Sequence, residues 1–208
     1  EEGNPAPRLG DVSMDRERAV EVYRLALARL TPLVNASFAS IFLRDPAEPS
    51  LLKLACAQNW PQSSARFLGQ MRIREGRGPT GAAVAEKRAI SVNDVFADAG
   101  LREWWDPARE LGFVSLITLP LLHDADAVGA LSFYFDAPRE FADDELHLLR
   151  LIADQLAAVT KRAHMLETVR QEVQQLRIEK QTLEQRMRDA EGAKRLKDEF
   201  VANMSHEL

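Results

Sequence analysis

The side chains best suited to chemistry are those of His206 and Glu207, which are neighbours near the end of the sequence. Phe200 and Met204 lie four residues apart just before them, so on a helix they share one face. His206 lies about 200° around such a helix from Met204 and can face solvent while the apolar face packs. An exposed imidazole is a nucleophile at neutral pH, and an adjacent carboxylate can orient it or accept its proton. A lone exposed histidine on a helix is usually just solvated, so the pattern alone leaves open whether His206 is a solvated side chain or a nucleophile assisted by Glu207.

The run at residues 197–208 reads Lys-Asp-Glu-Phe-Val-Ala-Asn-Met-Ser-His-Glu-Leu. It resembles the H-box of bacterial sensor histidine kinases. The resemblance implies that His206 takes the γ-phosphoryl group of ATP, with Mg²⁺, and passes it to an aspartate of a response regulator. It also implies a separate ATP-binding domain, which these 208 residues do not contain. We therefore expect residues 195–208 to begin the phosphoacceptor (DHp) helix, and the chain alone to hold no cofactor and to be inactive as a kinase.

Composition narrows the class of protein. The net charge is −5 and there is one cysteine. A single cysteine excludes a disulfide framework and a cysteine-rich metal site, and it fits a reducing compartment, here the bacterial cytoplasm. The four histidines lack metal-ligand spacing, so no metal site is predicted. The acidic balance argues against nucleic-acid binding. No apolar run approaches the roughly 20 residues that span a bilayer, although a membrane segment upstream of residue 1 stays open.

The segment before this terminal helix alternates between helical and extended patterns. Residues 1–14 contain prolines, glycines and charges without periodicity, which predicts a linker. Ser13 or Asp15 can cap the helix that follows. Its apolar positions recur at helical spacing: Ala19, Val22, Tyr23, Leu25, Ala26, Leu30 and Val34, with Pro32 near its end. Extended patterns cover residues 38–43, 52–56, 90–92, 114–121 and 127–135, and a helical pattern covers 101–111. Short strands interrupted by helices predict an α+β fold with an antiparallel sheet.

Two local patterns predict backbone geometry. Leu52, Leu54 and Cys56 alternate along the second strand, which predicts that they share one face of the sheet. The three glycines within residues 76–81 predict a tight loop with positive φ angles, followed by a short helix from Ala82.

Four short motifs carry a second resemblance. They are Gly76-Arg-Gly-Pro-Thr-Gly81, Val92-Asn-Asp-Val95, Val128-Gly-Ala-Leu131 and Phe141-Ala-Asp-Asp-Glu-Leu146. In this order of elements they resemble a GAF domain, over residues 15–165. The resemblance implies a sensory domain with a six-stranded antiparallel sheet, helices on one side of it and a small-molecule pocket on the other.

Candidate pocket residues follow from that resemblance. They are Cys56, Phe67, Met71, Phe96, Trp104, Trp105 and Phe113. Aromatic side chains in this segment can line a ligand cavity or fill it, and the ligand is not identified by the sequence. Cys56 either carries a chromophore or is a core thiol, and its place on a predicted strand favours the core thiol. Only the Phe141, Asp144 and Glu145 tail of a cyclic-nucleotide pattern is present, so cyclic GMP is weakly indicated.

From Leu149 onward the apolar positions repeat every seven residues, with a three-residue irregularity at Val169 and another near Gly192. Residues 166–194 are therefore predicted to form a signalling coiled coil. Its seam is too narrow to be buried by one helix, which predicts a parallel homodimer. The irregularities suggest two helical registers of similar energy. An alternative interpretation of the whole chain is a non-enzymatic GAF module that binds a ligand or dimerises.

Overall fold

The computed structural model describes the backbone of residues 11–61, 64 and 69–206, and the side chains of residues 19–61, 64, 69–163, 165–195 and 197. The helices are α1 (Asp11–Leu33), α2 (Gly78–Glu86), α3 (Trp105–Leu111) and α4 (Asp143–His206), with a 3₁₀ helix at Ala99–Trp104. The strands are β1 (Phe38–Arg44), β2 (Leu51–Gln58), β3 (Arg72–Arg74), β4 (Ile90–Val92), β5 (Ser115–His123) and β6 (Asp126–Phe135). None of the helices among the described residues has the length and hydropathy needed to cross a bilayer.

One antiparallel sheet of six strands, in the order β3-β2-β1-β6-β5-β4, forms the centre of the molecule. The longest pairing joins β5 to β6 as a hairpin turned at Asp124 and Ala125, both with positive φ. Strands β1, β5 and β6 are buried along nearly their whole length because helices cover both faces of the sheet. The α+β class and the six-stranded antiparallel sheet are confirmed.

One face of the sheet packs against α1 and the first turns of α4. Tyr23 and Leu27 of α1 and Leu149 and Ala153 of α4 are almost completely buried there, together with Phe133 of β6. The Tyr23 hydroxyl lies 2.7 Å from the Thr160 hydroxyl, which joins the two helices by a side-chain hydrogen bond. Burial raises the pKa of the Tyr23 phenol, although its hydrogen bond to Thr160 acts in the opposite direction. This layer forms the larger core.

The opposite face packs against α2, the 3₁₀ helix and α3. Val84 of α2 contacts a small core that includes Phe42 and Leu52. Ala108 and Leu111 of α3 pack in a separate core with Leu116 and Tyr134. Neighbouring residues of one strand therefore serve different layers. Helices therefore flank the sheet, as the resemblance implied, and short helices also cover the face on which it placed the pocket.

Several local expectations are corrected. Helix α1 begins at Asp11, before the expected caps Ser13 and Asp15, and it ends one residue after Pro32. Val22 and Leu25 do not join its buried stripe, since they are 41% and 52% exposed. Helix α2 begins at Gly78, within the expected loop.

A β-bulge corrects the predicted face of β2. Ile41 pairs with Cys56 whereas the next residue, Phe42, pairs with Leu54, so Ala55 is the extra residue. The bulge reverses the alternation, and Cys56 packs in the core beneath α1 while Leu52 and Leu54 pack on the opposite face. The prediction that all three share one face was wrong.

The chain divides into two compact units, Glu1–His164 and Met165–Leu208. The second unit is helical and contains the rest of α4. Pairs spaced four residues apart stabilise this helix, such as Gln185 to Asp189 at 2.8 Å. Large apolar side chains are nevertheless exposed along it: Met165, Leu166, Val169, Val173, Leu176, Ile178, Leu183 and Met187. Gly192 lies inside the helix, where glycine costs about 1 kcal/mol relative to alanine.

Candidate functional site

A cavity of about 40 Å³ lies on the face of the sheet covered by α2, the 3₁₀ helix and α3. The sheet, these helices and the adjoining loops supply its walls, so the side chains come from distant parts of the sequence. The lining residues are Trp60, Met71, Ile73, Pro79, Thr80, Val95, Leu101, Trp104, Pro107, Leu111, Phe113, Leu116 and Tyr134.

An aromatic cluster holds one wall of the cavity in place. The Tyr134 ring stacks on Phe38 with centroids 4.8 Å apart and an interplanar angle of 17°. Trp60 and Phe113 meet the Tyr134 ring edge-on, at 5.3 Å and 5.1 Å. Edge-on and offset arrangements are the favourable ones for aromatic pairs. The Trp60 indole N–H also donates to the carbonyl oxygen of Ala39 at 2.9 Å, so this ring is fixed by both packing and hydrogen bonding.

Hydroxyl groups occupy the sheet below the aromatic cluster. The Tyr134 and Ser40 hydroxyls lie 3.3 Å apart, and the Ser132 hydroxyl lies 2.9 Å from that of Thr118 and 3.5 Å from that of Thr80. Burial raises the pKa of the Tyr134 phenol above its ordinary value, although the hydroxyls of Ser40, Ser132 and Thr80 act in the opposite direction. Tyr134 is therefore uncharged at neutral pH.

Trp104 differs from the other two tryptophans. The indole N–H of Trp105 donates to the carbonyl oxygen of Val95 at 2.7 Å, and that of Trp60 is bonded as described. Nε1 of Trp104 is buried without a hydrogen-bond partner, and it is the one such side-chain atom found in the described part of the chain. A buried donor without an acceptor is costly, by about 1–3 kcal/mol.

The position of the Trp104 ring depends on Gly78. A Cβ atom at Gly78 would lie 2.7 Å from Cζ2 and 2.9 Å from Nε1 of Trp104, closer than such atoms approach. Gly78 also has a positive φ of 61°, which glycine adopts without strain. The glycine thus lets the indole edge lie directly against the start of α2.

Among the residues that the structure describes, those lining the cavity carry no charge. Arg77 and Glu103 pair at 2.8 Å as exposed residues. Arg109 lies over the ring of Phe96, with its guanidinium carbon 5.3 Å from the centroid. The cavity is therefore an apolar site bordered by hydroxyls and one free N–H donor.

The sequence profile of the GAF domain family matches residues 18–160 of this chain. The chain belongs to the GAF domain family. The match covers the sheet and its flanking helices up to the last buried turns of α4. No curated protein sequence matches the chain.

Solved structures share the GAF fold at low sequence identity. A domain of a putative two-component sensor histidine kinase from Sinorhizobium meliloti 1021 is 24% identical, with a TM-score of 0.56 over 72% of this chain and 96% of its own. The GAF domain of an Acinetobacter phosphoenolpyruvate-protein phosphotransferase is 13% identical, with a TM-score of 0.60 over 77% and 94%. A free methionine-R-sulfoxide reductase from Neisseria meningitidis, solved with its substrate, is 20% identical, with a TM-score of 0.58 over 80% and 98%. These likenesses show the fold alone.

The GAF domain brings together some of the predicted pocket residues. Met71, Trp104 and Phe113 line the cavity. Phe96 and Trp105 pack against each other outside the lining, with centroids 6.4 Å apart. Phe67 lies outside the described residues.

Cys56 lies on the other side of the sheet from the cavity, which corrects its place among the candidate lining residues. It is a free thiol, 8% exposed, and packs in the core formed with α1 and α4. Burial raises the pKa of this thiol, so it stays protonated at neutral pH.

Sequence reasoning missed the sheet residues of the cavity, above all Leu116 and Tyr134. Both lie on strands that were predicted, and both alternate with core residues such as Ile117 and Phe133. One sequence feature could have indicated them: β6 is apolar on both faces, so its second face also had to be buried.

The predicted phosphoacceptor lies at the end of α4. His206 is the last residue of this helix, its side chain lies outside the described residues, and so does Glu207. In the described part of the chain no three His, Cys, Asp or Glu side chains are grouped to hold a metal ion.

Proposed function

We propose that this chain is the sensory and dimerisation part of a two-component sensor histidine kinase, acting in the bacterial cytoplasm. Its GAF domain receives the input, α4 relays it, and His206 is the phosphoacceptor. The observation that carries the proposal is the helix itself. Helix α4 begins with Leu149 and Ala153 buried in the GAF core and continues without interruption to His206, inside the H-box-like run.

The proposed reaction transfers a phosphoryl group in two steps. A ring nitrogen of His206 attacks the γ-phosphorus of ATP, so a nitrogen–phosphorus bond forms as the bond to the ADP oxygen breaks. Glu207 accepts the proton of the attacking imidazole or orients the ring. The phosphoryl group then passes to an aspartate carboxylate of a response regulator. ATP and Mg²⁺ are held by an ATP-binding domain that these 208 residues do not include.

A parallel homodimer is the second part of the proposal. Val173, Leu176 and Leu183 follow the seven-residue repeat of α4 and are 43–63% exposed. Because the apolar stripe is one narrow seam on a long helix, a second copy of the same seam covers it best. A parallel arrangement places the two His206 residues at the same level.

The irregularities in the repeat provide a route for the signal. The repeat is interrupted at Val169 and again near Gly192, and a three-residue irregularity overwinds a coiled coil locally. Two packing registers then differ little in energy, so a change in the GAF domain selects one of them. The selected register determines how His206 is presented to ATP.

The test is autophosphorylation of the protein as its gene encodes it, with radiolabelled ATP and Mg²⁺. We expect an acid-labile label that disappears in His206→Gln. The matched control is His147→Gln, since His147 is an exposed histidine on the same helix. It should keep the label. Absence of label in folded wild-type protein, or label that survives His206→Gln, would reject His206 as acceptor and favour the non-enzymatic GAF ligand-binding or dimerisation module.

A further inference from the structure

We infer that the GAF cavity takes a small uncharged organic molecule with a compact apolar part and one hydrogen-bond acceptor, which receives the indole N–H of Trp104. The inference deepens the input half of the proposed function. It does not depend on His206, because binding is measured within the GAF domain.

The unpaired indole N–H of Trp104 is the reason the ligand needs a hydrogen-bond acceptor. Trp60 and Trp105 each donate to a backbone carbonyl, whereas Nε1 of Trp104 is buried and unpaired. The indole edge already lies close to the backbone of Gly78 at the start of α2, which leaves little room for the ring to move in that direction. A ligand oxygen supplies the missing acceptor. One hydrogen bond to a buried donor changes affinity by about 10-fold.

Among the described residues the lining carries no charge, which favours an uncharged ligand over an ionised one. Phosphates, carboxylates and ammonium groups need a counter-charge or several hydrogen bonds when they leave water. The lining residues provide the hydroxyls of Thr80 and Tyr134 and the indole of Trp104, and no ionised side chain. The hydroxyls are already engaged with Ser132 and Ser40. The site can therefore satisfy the hydrogen-bonding groups of a neutral ligand.

The cavity volume limits the ligand to a compact group. About 40 Å³ exceeds what one water molecule requires, roughly 10–15 Å³, and is well below the ~150 Å³ of a cavity that binds benzene. A ketone, aldehyde or ester of a few carbon atoms fits this description. Met71 and Leu101 are half-exposed lining residues, and the flexible thioether of Met71 lets the cavity widen for a small ring.

Ordered water is the competing occupant. A buried water needs two to four polar partners, and the cavity offers one free donor together with hydroxyls that are engaged elsewhere. The apolar walls instead favour an occupant with carbon atoms. The experiment below separates the two.

The experiment follows the three indole N–H resonances of the ¹⁵N-labelled chain by NMR. Acetone is titrated as the probe, and 2-methylpropene is the matched compound without an acceptor. We expect a saturable shift of the Trp104 resonance with acetone and smaller shifts of Trp60 and Trp105. Trp104→Phe should weaken acetone binding about 10-fold, read from the methyl signal of Met71 in a chain that also carries ¹³C-methyl methionine, and leave 2-methylpropene unchanged.

Two further variants test whether the compounds bind in the cavity. Trp105→Phe removes an indole outside the cavity and should leave the affinity for acetone within about 2-fold. Leu101→Trp enlarges a half-exposed lining residue and should abolish binding of both compounds. Spectral dispersion of the methyl signals reports that each variant is folded.

Four outcomes would overturn the inference. They are no saturable shift at Trp104, equal affinity of Trp104→Phe for acetone, tighter binding of acetate than of the ketone, or a long-lived water at the Trp104 N–H that acetone does not displace. Ketone binding without His206 phosphorylation rejects only the kinase output, and phosphorylation without ketone binding rejects only this inference.

Discussion

Gly78→Ala tests whether the glycine positions Trp104, and Gly76→Ala is its matched control. Both glycines have a positive φ, 78° at Gly76 and 61° at Gly78, so both substitutions carry the strain of a left-handed alanine. A new Cβ at Gly76 meets nothing within 4 Å. At Gly78 it would lie 2.7 Å from the Trp104 ring.

The expected magnitudes follow from these two differences. Left-handed strain costs about 1–2 kcal/mol, partly offset by the lower entropy of the unfolded chain, so Gly76→Ala should lose about 1 kcal/mol. Gly78→Ala adds displacement of a packed indole, and overpacking typically costs about 1–3 kcal/mol more. For a chain of this size each kcal/mol lowers Tm by about 2–4 °C. We therefore expect losses of about 3 °C for Gly76→Ala and about 6–12 °C for Gly78→Ala.

The assay is thermal unfolding followed by near-ultraviolet circular dichroism. This signal comes from Trp60, Trp104 and Trp105 in the GAF domain, so melting of the long helix does not obscure it. The same substitutions are then made in a Trp104→Leu background, where the smaller side chain removes the clash. There the excess loss for Gly78→Ala should disappear. Equal losses in wild type, or an excess that persists beside Leu, would refute the contact as the cause.

Two other regions yield predictions. Leu183, 60% exposed in α4, lies in the proposed seam, so Leu183→Asp should weaken the dimer by about 10²–10⁴-fold in sedimentation experiments, whereas Gln174→Asp on the polar face should not. A variant of Leu183 that remains dimeric at the wild-type concentration would contradict the seam. Arg44 holds Glu75 by two hydrogen bonds, 2.6 Å and 2.9 Å long, and this lowers the pKa of the Glu75 carboxyl. The stabilisation from this pair is present above the unfolded pKa of about 4.3 and is lost as pH falls through the lower pKa of the folded state. The difference in free energy of unfolding between wild type and Glu75→Gln, measured in urea, should therefore shrink from pH 7 to pH 3. A gap independent of pH would exclude this pair as its source.

Apolar runs predicted most of the sheet, because strands packed on both faces are apolar along most of their length. Strands β5 and β6 were predicted almost to their ends. Strand β3 was not predicted as a strand, since Arg-Ile-Arg is too short for a periodicity and is defined only by its pairing with β2. The bulge at Ala55 was also invisible, because it depends on the register that β2 adopts against β1.

The cavity was predicted in part, and the reason is the distance between its walls in sequence. Met71, Trp104 and Phe113 were identified because they lie in one aromatic-rich segment. Tyr134 and Leu116 reach the same cavity from strands whose other face carries the main core, which tertiary pairing alone reveals. Nothing in a sequence indicates that one indole N–H of three lacks a partner.

The central strands pack on both faces, and this has a consequence for the effect of substitutions in such a domain. Leu116 and Tyr134 line the cavity, while their neighbours Ile117 and Phe133 touch the layer of α1 and α4. Substitutions at the first pair change the wall of the cavity and leave the packing against α1 and α4 in place. Substitutions at the second pair do the reverse. The cavity wall and the helical layer can thus be altered separately within a single hairpin.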